Sequence, residues 1–199
     1  MQEVAPRQDG RLARSARTRR AIVDAMRSLH HAGDLRPTAP RVADRAGVSL
    51  RTVFQHFEDL EALLIEAGRR DYEIAMRYVR PVPLHAPLLD RIRAVVDQRG
   101  EMYDALAPVW RAARLQEPFS PQIRSNRDRL MAAGRAQLEL VFGSELDRMP
   151  ASRRESALHA AQVATSWATW ESLRTELHLA PDAAGAAVRT LLEPLLSTR

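Results

Sequence analysis

The sequence predicts an all-α fold, with an N-terminal three-helix helix-turn-helix head followed by a larger helical body. Three observations predict it. Apolar residues recur at helical spacing, and alternating runs are absent. Two short helical patterns meet at Gly47, the arrangement of a helix-turn-helix. The basic excess is confined to the first quarter of the chain: residues 1–56 hold eleven Arg and five acids, whereas residues 57–199 hold nineteen Arg and twenty acids. A basic head on a near-neutral body is the electrostatic footprint of a nucleic-acid-binding protein.

The bulk composition narrows the class. With 45% apolar and 28% charged residues the 199-residue chain is globular rather than disordered. It has no cysteine, which excludes disulfides and thiolate metal sites. No run of eighteen apolar residues is present, so no membrane-spanning helix is expected. The start is Arg-rich without an apolar stretch, so no secretory signal is expected, and the expected location is cytoplasmic.

Residues 1–16 read as a flexible basic arm. The head, residues 17–60, opens with a helix over about Arg17–His31, whose stripe is Ile22, Met26 and Leu29 and whose stop is Gly33. Thr38 is the expected N-cap of a second helix that tolerates Pro40 in its first turn and buries Val42, Ala43 and Ala46. Gly47 supplies the positive φ of the turn and Val48 fills its angle. Ser49 then caps a third helix through about Phe57, with Val53 and Phe57 inward at i, i+4. In the body, residues 61–199, Asp59 caps a fourth helix with Leu63, Ala67, Ile74 and Tyr78 inward, and Pro81, Pro83 and Pro87 interrupt it. Further helices are expected over about Leu88–Leu106, Val109–Leu115, Gln122–Phe142, Ser152–Leu177 and Pro181–Leu196, with a loop at Gly143–Pro150.

The third helix carries groups able to reach DNA. Leu50, Arg51, Thr52, Gln55 and His56 lie on or near its outer side. Arg51 has the donor fork for a guanine edge, Gln55 the amide for an adenine, and Leu50 the apolar tip for a thymine methyl. Solvation of an exposed helix face is the bland reading of the same residues.

Val42-Ala43, Ala46-Gly47-Val48-Ser49, Thr52-Val53-Phe54 and His56-Phe57, followed by Glu61 and Leu63, resemble the tetracycline-repressor (TetR) family of transcription regulators. Thr18-Arg19-Arg20 with Ile22 is similar to the family's first helix, so the resemblance covers about Arg17–Leu64. It implies DNA contacts from Arg17, Thr38, Arg41, Ser49, Leu50, Arg51, Thr52, Phe54, Gln55 and His56. It implies a homodimer on a palindromic double-stranded operator, nucleoid-associated when bound and released as a repressor by a small, largely apolar ligand. Two positions depart from the pattern. Phe54 stands where the family has a phosphate-binding tyrosine, and Leu60 where it has a lysine. Arg14, Arg17, Arg19 and Arg20 are expected to compensate.

The same resemblance implies a ligand pocket in the body, for which Met102, Tyr103, Trp110, Phe119, Met131 and Trp167 are the candidates. It places the dimer interface on the last helices, with Val163, Trp167, Trp170, Leu173, Leu191 and Leu195 as candidates. Both sets have ordinary core packing as their alternative. The alternative function is a DNA-architectural or protein-interaction module without sequence readout. Enzyme readings lack a motif: no phosphate-binding loop, Gly-x-Ser-x-Gly or His-Glu-x-x-His is present, and no cofactor or metal site is expected. His30 and His31 are adjacent, hence about 100° apart on a helix, and read as a solvated helix end rather than a metal pair.

Overall fold

The computed structural model describes residues 6–197. Among these residues every regular element is helical: α1 (Pro6–His31), α2 (Ala39–Ala46), α3 (Leu50–His56), α4 (Leu60–Ala75), α5 (Leu88–Gln116), α6 (Pro121–Leu146), α7 (Ala151–Ala164), α8 (Trp167–Glu171) and α9 (Pro181–Leu196). A 3-10 turn, Glu117–Phe119, joins α5 to α6, and a π turn, Ser172–Glu176, extends α8. The chain forms two compact units: residues up to Glu73 with Pro108–Ile123, and Ile74–Ala107 with Arg124 onward.

The first unit is built on one apolar core. Ile22, Val23, Met26 and Leu29 of α1 meet Val42 and Ala43 of α2, Val53 and Phe57 around α3, and Leu63 and Ala67 of α4. Gly47 takes φ +66°, ψ 34°, the left-handed turn that a Cβ disfavours, and its N–H caps the end of α2. Ser49 Oγ accepts the Thr52 N–H at 3.1 Å and starts α3. Asp59 Oδ1 likewise accepts the Ala62 N–H at 2.7 Å and starts α4. A buried ion pair, Arg27 Nε to Asp71 Oδ1 at 2.6 Å, ties α1 to α4.

Several boundaries differ from the sequence reading. The expected arm is helical from Pro6, because Arg, Ala, Leu and Gln are strong helix formers and the single Gly10 costs only about 1 kcal/mol. Residues 1–5 lie outside the described residues. Thr38 holds the N-cap position of α2 but makes no side-chain cap bond. Helix α5 continues through Pro108 and α6 continues to Leu146, with a kink at Phe142 (φ −113°, ψ 15°). The expected Ser152–Leu177 helix breaks after Ala164, where Ser166 restarts the chain by accepting the Thr169 N–H at 3.2 Å. His31 is exposed as expected, whereas His30 is only 1% exposed. It lies four residues beyond Met26 and eight beyond Ile22, on the buried stripe of α1.

The second unit holds two buried arginines on α5. Arg91 forks onto Glu145, with Nη1 to Oε2 at 2.9 Å and a second, shorter bond from Nη2 to Oε1; its guanidinium also lies 5.9 Å from the Phe142 ring centroid. Burial acts to raise the Glu145 pKa, but the hydrogen bonds and charge of Arg91 hold it below the usual range. Arg99 lies two turns further along and joins three segments. Its Nε and Nη2 reach Gln137 Oε1 at 3.1 and 3.0 Å, Nη2 also reaches the Gly134 carbonyl at 2.7 Å, and Nη1 reaches Thr165 Oγ1 and the Thr165 carbonyl at 2.5 and 3.3 Å. Tyr103, one turn on, donates its hydroxyl to the Thr165 carbonyl at 2.8 Å.

The six-membered ring of Trp170 packs against Gly100, where an added Cβ would come within 2.5 Å of it, and the indole donates Nε1–H to Asp104 at 2.9 Å. Alanine in place of a helical glycine ordinarily stabilises by about 0.5–1 kcal/mol. Here the overlap is with an indole whose outer edge is anchored, so Gly100→Ala is expected to destabilise by about 1–3 kcal/mol in urea unfolding; a gain would show that Trp170 moves freely.

Burial of His30 lowers its pKa from 6.5 to about 4, against the raising effect of Asp34. Between those two pH values the unfolded chain takes up a proton that the folded chain refuses. Stability present above pH 6.5 is therefore lost as pH falls toward 4, by about 3 kcal/mol at most. Asp71, whose pKa burial raises, contributes with the opposite sign. The His30→Leu variant isolates the histidine: its melting temperature is expected to fall less than the parent's between pH 7 and pH 4, and parallel profiles would refute the assignment.

Candidate nucleic-acid interface

Helix α3 is seven residues long and buries only Val53. At that length it has no independent stability, and three attachments hold it: Val53 and Phe57 in the core, Ser49 at its start, and Arg19 at its end. Arg19 donates a short hydrogen bond to the His56 carbonyl, stacks 4.1 Å from the Phe57 ring centroid and lies 3.9 Å from Glu66. It is thus a clamp between α1 and α3 rather than the free phosphate contact expected of it.

The outer side of α3 presents Leu50, Arg51, Phe54 and Gln55, all exposed. Leu50 and Phe54 are 42% and 48% exposed, one turn apart, so an apolar strip lies in the open beside the two polar groups. Arg51 and Gln55 make no side-chain bond among the described residues, which leaves their donors available. Ser49 and Thr52 are occupied with each other, their hydroxyls 2.8 Å apart. The His56 side chain is half-buried.

Thr38 and Arg41 stand exposed at the start of α2, and Arg17 is exposed on α1. Asp34, in the connection before α2, holds Arg41 at 3.1 Å through Oδ2 and accepts the Arg36 N–H at 3.2 Å through Oδ1. Asp34 was invisible to the sequence reading because nothing in the linear spacing brings it to Arg41. Leu60 is half-buried against the head core, so its side chain contributes packing where a lysine would contribute charge.

The residues expected to line a ligand pocket are scattered in environment. Tyr103 is buried, and burial pushes its hydroxyl pKa up. Met102, Trp110 and Trp167 are half-buried, whereas Phe119 and Met131 are 74% and 42% exposed. The cavity lined by Arg99, Tyr103, Thr165 and Trp170 has a volume of about 10 Å³, room for about one water.

Of the residues expected at a dimer interface, Val163 and Leu191 are exposed, and Leu195 lines the same shallow apolar groove between α7 and α9. Trp167 and Leu173 are half-buried. Trp170 is core, 6% exposed, because Gly100 opens a slot for its ring and Asp104 satisfies its N–H. Among the described residues no helix is long and apolar enough to cross a membrane, and no cluster of three potential metal ligands is present.

No protein-family model matches the chain, and no curated protein sequence matches it. Solved structures do. A transcriptional regulator from Rhodococcus sp. Rha1 superimposes with a TM-score of 0.68 at 17% identity, covering 92% of this chain and 95% of that one. A protein described as a TetR-family transcriptional regulator from Rhodococcus sp. gives 0.69 at 16% identity, covering 91% and 100%. A transcriptional regulator from Pseudomonas aeruginosa PAO1 gives 0.63 at 18% identity, covering 97% and 92%. At these identities the likeness is one of fold, and it extends over nearly the whole of each chain. The chain therefore has the fold of the TetR-type transcriptional regulators.

Proposed function

We propose that this protein is a dimeric, sequence-specific DNA-binding transcription regulator, a repressor that leaves a palindromic operator when a small ligand enters the body. The observation that carries the proposal is the outer side of α3, where Arg51 and Gln55 stand unbonded between Leu50 and Phe54 on a helix fixed by its core, cap and arginine clamp. Such a helix fits the major groove. Arg51 serves a guanine, Gln55 an adenine, and the apolar pair thymine methyls. Thr38, Arg41 and Arg17 serve phosphates, with Asp34 aiming Arg41.

The dimer rests on the α7–α9 groove. Val163, Leu191 and Leu195 give it an apolar lining that a second copy would cover, which favours a two-fold arrangement with heads on half-sites about 34–36 Å apart. The basic excess of the head favours a second reading, DNA binding without sequence choice, because attraction to phosphates is independent of sequence.

Selection from a randomised duplex library at physiological salt separates the two. Enrichment of a palindrome with half-sites about one turn apart is expected; retention without a motif would establish the architectural reading, and no retention would refute both. On the enriched duplex, Arg51→Ala is expected to cost about 1–3 kcal/mol at one base position and to relax preference there. An equal loss on every sequence would make Arg51 a phosphate contact instead.

A further inference from the structure

Arg99 is a buried cation of the body that has no carboxylate partner among the described residues. Its side chain belongs to a residue only 7% exposed, and its partners are Gln137 Oε1, the Gly134 carbonyl, the carbonyl and hydroxyl of Thr165, and the Tyr103 hydroxyl. Arg91, on the same helix and equally buried, shows the usual solution, a bidentate Glu145. Taking a guanidinium out of water is costly, and neutral acceptors satisfy its hydrogens without balancing its charge.

The geometry around Arg99 is that of a carboxylate seat with one neutral oxygen in it. Nε and Nη2 form the edge that a carboxylate takes with two parallel bonds. Here both converge on the single amide oxygen of Gln137, at 3.1 and 3.0 Å. Gln137 is half-buried, so it has an outward path to solvent, and it comes from α6 while the other partners are backbone, the anchored Thr165 or the buried Tyr103. The cavity on the other side of Arg99, lined by Val96, Tyr103, Thr165, Ser166, Trp170 and Val188, holds only about 10 Å³, so the space for a ligand at the Nε–Nη2 edge is the space that Gln137 itself vacates.

We infer that the Nε–Nη2 edge of Arg99 is a binding site for the carboxylate of a small organic acid, occupied in the free protein by Gln137, which the ligand displaces. The inference deepens the ligand-release reading above, since it gives the effector a chemical class: an apolar body carrying a carboxylate rather than a wholly apolar compound. Displacing Gln137 removes one of the two ties between Arg99 and α6 and leaves the bond to the Gly134 carbonyl, so binding has a structural consequence inside the body.

The test uses the full chain and two probe pairs, acetate against acetamide and benzoate against benzamide, at pH 7 and constant ionic strength. The carboxylates are expected to raise the melting temperature saturably, by about 5 °C at a hundredfold excess over Kd, and the isosteric amides to leave it unchanged. Gln137→Glu supplies the missing carboxylate internally, so it is expected to raise the melting temperature of the free protein and to abolish the response to both acids. Arg99→Gln is expected to abolish the response as well, and Gln137→Glu keeps the question decidable if that variant does not fold. A flat response to both acids, an equal response to the amides, or a destabilised Gln137→Glu variant overturns the inference. DNA retention is read separately: acids that bind without releasing the enriched duplex leave the seat standing and remove the ligand-release reading instead.

Discussion

The head depends on a single shared core beneath helices too short to persist alone. Helices α2 and α3 have eight and seven residues, well under the length at which an isolated helix is stable in water. Their geometry is held by Ile22, Val42, Val53, Phe57 and Leu63, each at most 3% exposed. The left-handed Gly47 sets the angle between them, and the Ser49 and Asp59 caps set where the next helices start. What α3 offers to solvent is a consequence of what it is forced to bury. With Val53 and Phe57 committed to the core, Leu50, Arg51, Phe54 and Gln55 have only the outside left.

Charge is used inside both units, in three different ways. Arg27 and Asp71 are a paired staple between α1 and α4, though Asp71 is buried enough for desolvation to raise its pKa. Arg91 and Glu145 are a forked pair whose mutual attraction outweighs burial at the carboxyl. Arg99 is satisfied in hydrogen bonds and unsatisfied in charge. The first two patterns hold a fold together. The third leaves an electrostatic demand that an anion from outside can meet, which is why it is where a ligand's chemistry is best read.

The two departures from the TetR pattern have different weight. Leu60 moves from the surface into the margin of the core, so a lost charge is returned as packing. Phe54 stays exposed and loses a hydroxyl without such a return, joining Leu50 in an apolar strip beside Arg51 and Gln55. On the function proposed above, this side of α3 suits apolar base edges better than phosphates.

The head was legible in the sequence because its determinants are local. A cap three residues before the amide it accepts, a glycine at a turn and an i, i+4 apolar pair are all encoded within one or two turns. Ser49, Gly47, Asp59, Val53 and Phe57 therefore lie where their spacing put them. The all-α class followed from periodicity for the same reason. What only the tertiary structure decided involves partners far apart in the chain. Arg19 meets the His56 carbonyl, Asp71 meets Arg27, Trp170 fits over Gly100, and Gln137 fills the fork of Arg99. Arg99 and His30 each carried a faint signal, a polar residue on an otherwise apolar stripe. Whether such a residue is solvated, paired or stranded depends on which distant segment folds over it, and periodicity along one helix contains no information about that.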